Sequence, residues 1–168
     1  MQVDLRVPDP TTMYKLLIGC VVPRPIAWGS SVDADGVCNL APFSSFMAIT
    51  HDPPTIAFSS SPRGVEVLGT PGKKDTLRNI ERTRESRVAA APINMQCRVV
   101  QILPVGNLLH HLVIGEIVHL HVRDDVYDPA TGRIDMRRLR PVGRLAGHQY
   151  THVHDIFEMK RPAVDYKG

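Results

Sequence analysis

Fourteen prolines and twelve glycines punctuate a chain of 168 residues. Proline removes a backbone donor and glycine frees the backbone, so a helical bundle does not tolerate this density. Short strands joined by turns do. Aromatic residues make up only 5% of the chain, so a core must rest on Val, Ile, Leu and Ala. The length predicts one domain over residues 1–168, large enough to bury a core without disulfide or metal staples.

The order of elements follows from local chemistry. Residues 9–18 predict a short helix, with Thr11 and Thr12 as capping candidates. Residues 21–32 are β-branched and apolar and predict a strand. Asp33-Ala34-Asp35-Gly36 is hairpin chemistry. Residues 37–50 predict the return strand, with Pro42 marking a bulge or an edge. A turn at 51–54 precedes a strand over 55–59. Asp75 predicts an N-cap for a helix running to about residue 84, with a thin apolar stripe of Leu77 and Ile80. Strands are expected over 96–103 and 112–122, with turns at 104–107 and 128–132. Residues 136–139 predict one helical turn, and 149–159 a last strand or helix. Many antiparallel strands with few helices point to a mostly β barrel. No GxGxxG or GxxxxGK[ST] occurs.

Twenty basic against seventeen acidic residues leave a net charge of +3. The basic residues are dispersed apart from residues 133–144, so no nucleic-acid partner is expected. A small anionic cofactor needs only two or three cations. Cys20, Cys38 and Cys97 are odd in number and lack CxxC spacing, which argues against a disulfide framework or a structural zinc site. Reduced thiols in a cytoplasmic protein are the expectation, with Cys38 as a buried, inert thiol. The start of the sequence lacks a signal pattern and no apolar run is long enough to span a bilayer, so no membrane association is expected.

Three clusters are candidates for chemistry. Lys74-Asp75-Thr76 sits where a helix begins, and its exposed amides and dipole attract phosphate. Ser59, Ser60, Ser61 and Arg63 precede it with hydroxyls and a guanidinium. A solvated loop before an ordinarily capped helix is the alternative. The second cluster is the pair of arms of the first hairpin, with Arg24, Ala27, Trp28, Ser30 and Ser31 on one arm. Asn39, Ala41, Pro42, Phe43, Ser44 and Ser45 lie on the other. Small residues there let a flat ligand approach the backbone, and the amide and hydroxyls suit ring heteroatoms. An irregular hairpin without a ligand fits the pattern equally. The third is metal: His119 with His121, and His152 with His154, are HxH pairs that share a strand face. Glu116 has the wrong parity to join the first pair. No nucleophile–base arrangement and no GxSxG elbow is present.

Together these runs resemble a known family. Pro23-Arg24-Pro25-Ile26-Ala27-Trp28, Asp35-Gly36, Asn39-Leu40-Ala41-Pro42-Phe43-Ser44, Asp52-Pro53-Pro54 and Lys74-Asp75-Thr76 with Asn79-Ile80 are similar to the flavin reductase-like, FMN-binding split-barrel family. So are Ile114-Gly115-Glu116-Ile117-Val118, Arg140-Pro141-Val142, Leu145-Ala146-Gly147 and Tyr150. The nearest types in pattern are flavoredoxin and the reductase component of nitrilotriacetate monooxygenase.

The resemblance implies a homodimeric split β-barrel with a few short helices, holding FMN near the dimer interface. It implies that residues 28–31 and 39–45 line the isoalloxazine ring, and that residues 59–61, Lys74 and Thr76 sit near the phosphate. It implies NADH or NADPH as electron donor, and an oxygenase or another flavin or electron acceptor as partner. No catalytic side chain is required, because the cofactor carries the hydride chemistry. One departure stands out: family members carry a longer segment after the Lys-Asp-Thr helix. Here Thr83-Arg84-Glu85-Ser86 passes quickly to Met95-Gln96-Cys97-Arg98. A flavin-binding electron carrier without nicotinamide turnover, and a metal-binding barrel using the HxH pairs, are the alternatives.

Overall fold

The computed structural model describes residues 9–65, 71–83, 85–88, 91–107 and 109–160. Helix α1 (Pro10–Cys20) opens the described chain. Its cap is Asp9, not Thr11 or Thr12: the Asp9 carboxylate accepts from the amides of both threonines and from the Thr12 hydroxyl at 2.7 Å. Pro10 follows at the first helical position, where no amide is needed. The hydroxyl of Thr12 also holds the Asp9 carboxyl below the usual carboxylate range.

Strand β1 (Ala27–Val32) starts later than the apolar run suggests. Pro23 and Pro25 withhold the amides a longer strand needs, so residues 21–26 contribute only the isolated bridge of Arg24 to Arg144. The turn forms around Asp33, whose carboxylate accepts from the amides of Asp35 and Val37, with Gly36 at φ 82°. The expected single return strand is two. Strand β2 (Cys38–Phe43) pairs with β1, and β3 (Phe46–His51) pairs with β4 (Pro54–Ser60) instead. The chain changes partner at Ser44 and Ser45. Pro42 fits because β2 is a sheet edge, where a missing donor faces no neighbour.

Next come β5 (Arg63–Val65), β6 (Pro71–Gly72), α2 (Asp75–Thr83) and β7 (Glu85–Val88). Long strands β8 (Ile93–Val105) and β9 (His110–Val122) follow. The sheet order is β2-β1-β7-β8-β9-β4-β3. Its two edges, β2 and β3, are consecutive in the chain, so the sheet curls until the edges meet at the Ser44–Ser45 seam. The excursion beyond β9 holds β10 (Tyr127–Asp128), β11 (Arg133–Ile134) and α3 (Met136–Leu139). Strands β12 (Val142–Arg144) and β13 (Tyr150–His152) then form a small hairpin. Residues 153–160 have no regular structure.

Phe43, Phe58, Leu77, Ile80, Val99 and Val113 form the core. Phe43 and Phe58 pack against each other at a tilt of 44°, with ring centroids 4.4 Å apart. The apolar stripe of α2 is thin but sufficient: Ile80 is 0% exposed and Leu77 closes the barrel beside it. The helix begins at Asp75, which occupies its first position. The capping position belongs to Lys74, whose carbonyl accepts from the Arg78 amide at 3.1 Å. Cys38 is exposed, contrary to expectation, because it starts an edge strand on the outward parity. Cys97 is the buried thiol.

Candidate functional site

The seam opens into a cleft of about 580 Å³. Pro42, Phe43, Ser44, Ser45 and Phe46 form its floor where β2 hands over to β3. Tyr14, Leu17, Ile18 and Val21 form one wall. Their i, i+3, i+4, i+7 spacing places them on one face of α1 and its exit, so the helix turns an apolar stripe toward the cleft. The polar end is made by Ser59 and Ser61 after β4 and by Lys74 before α2. Lys74 Nζ donates to Ser61 Oγ at 2.8 Å, and burial pushes its pKa down. Among the described residues it meets no carboxylate, whereas its neighbour Lys73 is paired with Glu81 at 2.8 Å. Arg144 and His110 complete the rim.

Arg24 borders the cleft but is 8% exposed. Its guanidinium donates to the carbonyls of Ile18, Val21 and Leu145, and its backbone exchanges two 2.9 Å bonds with Arg144. It ties the end of α1 to β12. Ala27 and Trp28 face a second cavity of about 540 Å³ on the other side of residues 23–25. Three further candidates, Asn39, Thr76 and Ser31, lie behind the cleft, where they and Asn79 join the hairpin to α2. Asn39 Nδ2 donates to Thr76 Oγ1 at 2.6 Å, and Asn79 Nδ2 donates to Ser31 Oγ at 3.2 Å. Thr76, Ser31 and Asn79 are buried.

Ser60 is also buried, and its Oγ has no hydrogen-bond partner among the described residues. Ala41 packs against the core and Ser30 pairs in register with Leu40. Asp75 lies 3.6 Å from Arg78 in an exposed ion pair. Arg63 lies on β5 opposite Gly72, and its side chain is outside the described residues. The structure thus brings Arg24, Pro42, Phe43, Ser44, Ser45, Ser59, Ser61 and Lys74 to one cleft. Sequence reading missed the α1 stripe, although its helical spacing was visible, and missed Arg144 and His110, which carry no local signal. His152 and His154 have ring centroids 5.2 Å apart, and His119 and His121 stand on β9 opposite Gln96 and Asn94. Among the described residues no three His, Cys, Asp or Glu side chains gather as a metal site. No helix among them is long and apolar enough to cross a membrane.

A curled antiparallel sheet split at a seam, with an apolar cleft ending in a lysine that meets no carboxylate among the described residues, is a split β-barrel with room for an anionic ligand. The profile described as "Flavin reductase like domain" matches residues 18–89. The uncharacterized protein BH2278 of Halalkalibacterium halodurans is 32% identical, with 90% of this chain and 91% of that protein covered. That match runs over 198 residues, more than the 168 here, so the relative carries stretches without a counterpart in this chain. Nitrilotriacetate monooxygenase component B from Bacillus cereus superposes with a TM-score of 0.85 at 26% identity, covering 95% of this chain and 98% of that one. The 2-nitrobenzoate 2-nitroreductase NbaA of Pseudomonas fluorescens superposes at 0.83 with 23% identity, with both chains fully covered. The chain belongs to the flavin reductase-like family, and its class is that of flavin-related oxidoreductases.

Proposed function

We propose that this chain is an FMN-dependent oxidoreductase that draws on NADH or NADPH and delivers electrons to flavin or to a partner protein. The observation that carries the reading is Lys74. A half-buried ammonium bonded, among the described residues, to a neutral hydroxyl alone costs free energy that an anion would offset. Phosphate at the first turn of α2 is such an anion, favoured by the amides and the dipole. Ser59 and Ser61 stand on the same wall, and the buried Ser60 Oγ lacks a partner among the described residues. Pro42, Phe43 and the α1 stripe suit a flat ring system.

These residues fit FMN. Lys74, Ser59 and Ser61 hold its phosphate, while Ser44 and Ser45 offer hydroxyls to the ring edge. Asn39 and Thr76, bonded to each other, fix the hairpin on α2 and so position the lysine. When bound, the flavin supplies the hydride chemistry. The chain binds it, orients it and keeps water from its apolar face. The reading includes one domain over residues 1–168, a homodimer and a cytoplasmic setting. An oxygenase is the favoured acceptor, by similarity to a protein named as a monooxygenase component.

Fluorescence titration with FMN tests the site. Lys74→Ala is expected to lose about 1.5–3 kcal/mol, roughly 10- to 150-fold in affinity, the scale of a charged hydrogen bond. Equal affinity in both proteins sinks the phosphate assignment. The short connection from Thr83 to Ile93 favours one second reading, a flavin-binding electron carrier. Anaerobic mixing of the FMN-loaded protein with each nicotinamide separates the two. Bleaching of the flavin absorbance supports the reductase; bleaching by dithionite alone supports the carrier.

A further inference from the structure

The second cavity is walled by aliphatic and aromatic side chains, among them Ile26, Trp28, Met95, Val142 and Val153. Trp28 is half exposed on that wall, a large apolar surface to leave in water. Arg140 stands at the same cavity, exposed, and its guanidinium makes no ion pair or hydrogen bond among the described residues. A segment of matching chemistry lies close by in the chain. Residues 153–160 continue from β13 without regular structure, and in Asp155-Ile156-Phe157-Glu158-Met159 the carboxylates of Asp155 and Glu158 alternate with apolar side chains. Phe157 is 80% exposed and Met159 81%.

Val153 lines the cavity of its own chain, yet four residues later Phe157 is almost wholly in solvent. The segment is therefore leaving the cavity it borders. A second copy presents the same cavity and the same tail, so a twofold pairing satisfies both at once. The geometry points to an exchange of arms: residues 155–159 of each chain cover the Trp28 cavity of a second copy, with Phe157 and Met159 seated on its apolar wall and the flanking carboxylates facing Arg140. The inference rests on the homodimer named above and goes beyond it by naming the arm and its seat.

Trp28 is the only tryptophan in the chain and reports directly on this cavity. The test co-expresses two chains with different affinity tags and purifies the mixed dimer at matched flavin content. One chain carries Phe157→Ser with Met159→Ser and keeps Trp28. The other has a native tail and Trp28→Phe. Both altered tail positions are exposed, so the barrel itself is left intact. Wild-type protein and the mixed dimer are expected to share blue-shifted Trp28 emission with low acrylamide quenching. The homodimer of the tail variant is expected to emit further to the red and to quench more. A mixed dimer as accessible as the tail-variant homodimer overturns exchange, because the tail then acts on its own chain. Identical Trp28 behaviour in wild type and tail variant overturns it too, as does a monomer mass for the wild type. Arg140→Glu gives an independent check and is expected to raise quenching, with Asp155→Arg and Glu158→Arg in the same chain lowering it again; no change on either step also counts against the exchange. None of these readouts uses flavin, so a protein that fails to bind FMN still decides the question.

Discussion

Arg24 spends its guanidinium on three main-chain carbonyls while sitting at the border of a ligand cleft. Removing it strips three part-buried carbonyls of a charged donor, a type of hydrogen bond worth about 1.5–3 kcal/mol. Arg24→Leu is expected to cost about 3 kcal/mol and to lower the melting temperature by roughly 6–12 °C, read by circular dichroism. Arg24→Lys is not expected to rescue it, since one ammonium cannot reproduce the fork. Cys97 gives a second expectation. Burial pushes its thiol up from 9.0 to about 11, while Cys20 and Cys38 are exposed. Thiol reagent at pH 8 should therefore titrate two groups in the native protein and three after unfolding. The sign for stability follows: between pH 9.0 and about 11 the unfolded chain releases a proton that the folded chain keeps, so stability falls across that window. Cys97→Ala should flatten it. At this scale the place of Lys74 ahead of α2 was legible, because a lysine before a helical pattern has a physical meaning by itself. The role of Arg24 was not, since the acceptors at residues 18, 21 and 145 come together only in the folded chain.

Among the elements, α2 and the Ser44–Ser45 seam decide what the cleft can hold. The lowered pKa of Lys74 means its charge fades at a lower pH than the ordinary 10.5. FMN affinity is expected to fall as pH rises through that lowered value, and Lys74→Ala should remove the dependence in the same titration. Strand β12 tests the wall between the two cavities. A Cβ on Gly143 would stand 2.7 Å from Pro23 Cβ, so Gly143→Ala must displace residues 23–25. The expected cost is about 1–3 kcal/mol, as for other overpacked sites, with weaker FMN binding in parallel. Most of these elements were legible: the Asp33–Gly36 turn, α2 and the long β8 and β9 follow from local chemistry. The division of residues 37–50 into two strands was not. Pro42 gave a choice between bulge and edge, and edge status depends on a partner elsewhere in the chain. Likewise the spacing of Tyr14, Leu17, Ile18 and Val21 announces a helical face but not what it faces.

Across the whole molecule, the density of proline and glycine pointed to short strands joined by turns, and the run of strands with few helices pointed to a β barrel, whereas the strand order β2-β1-β7-β8-β9-β4-β3 is settled by non-local pairing. Light scattering at micromolar concentration is expected to give twice the chain mass; a monomer with FMN present would remove the dimer. The cleft gathers residues from Tyr14 to Arg144, so whatever occupies it joins the first helix to the small hairpin near the other end. Ligand held only by the folded chain adds about 2.7 kcal/mol at a hundredfold excess over its dissociation constant. Cellular abundance then becomes a nutritional variable. On the FMN reading, a cell short of riboflavin is expected to hold less of the polypeptide as well as less of its activity, and an immunoblot before and after riboflavin is restored checks it.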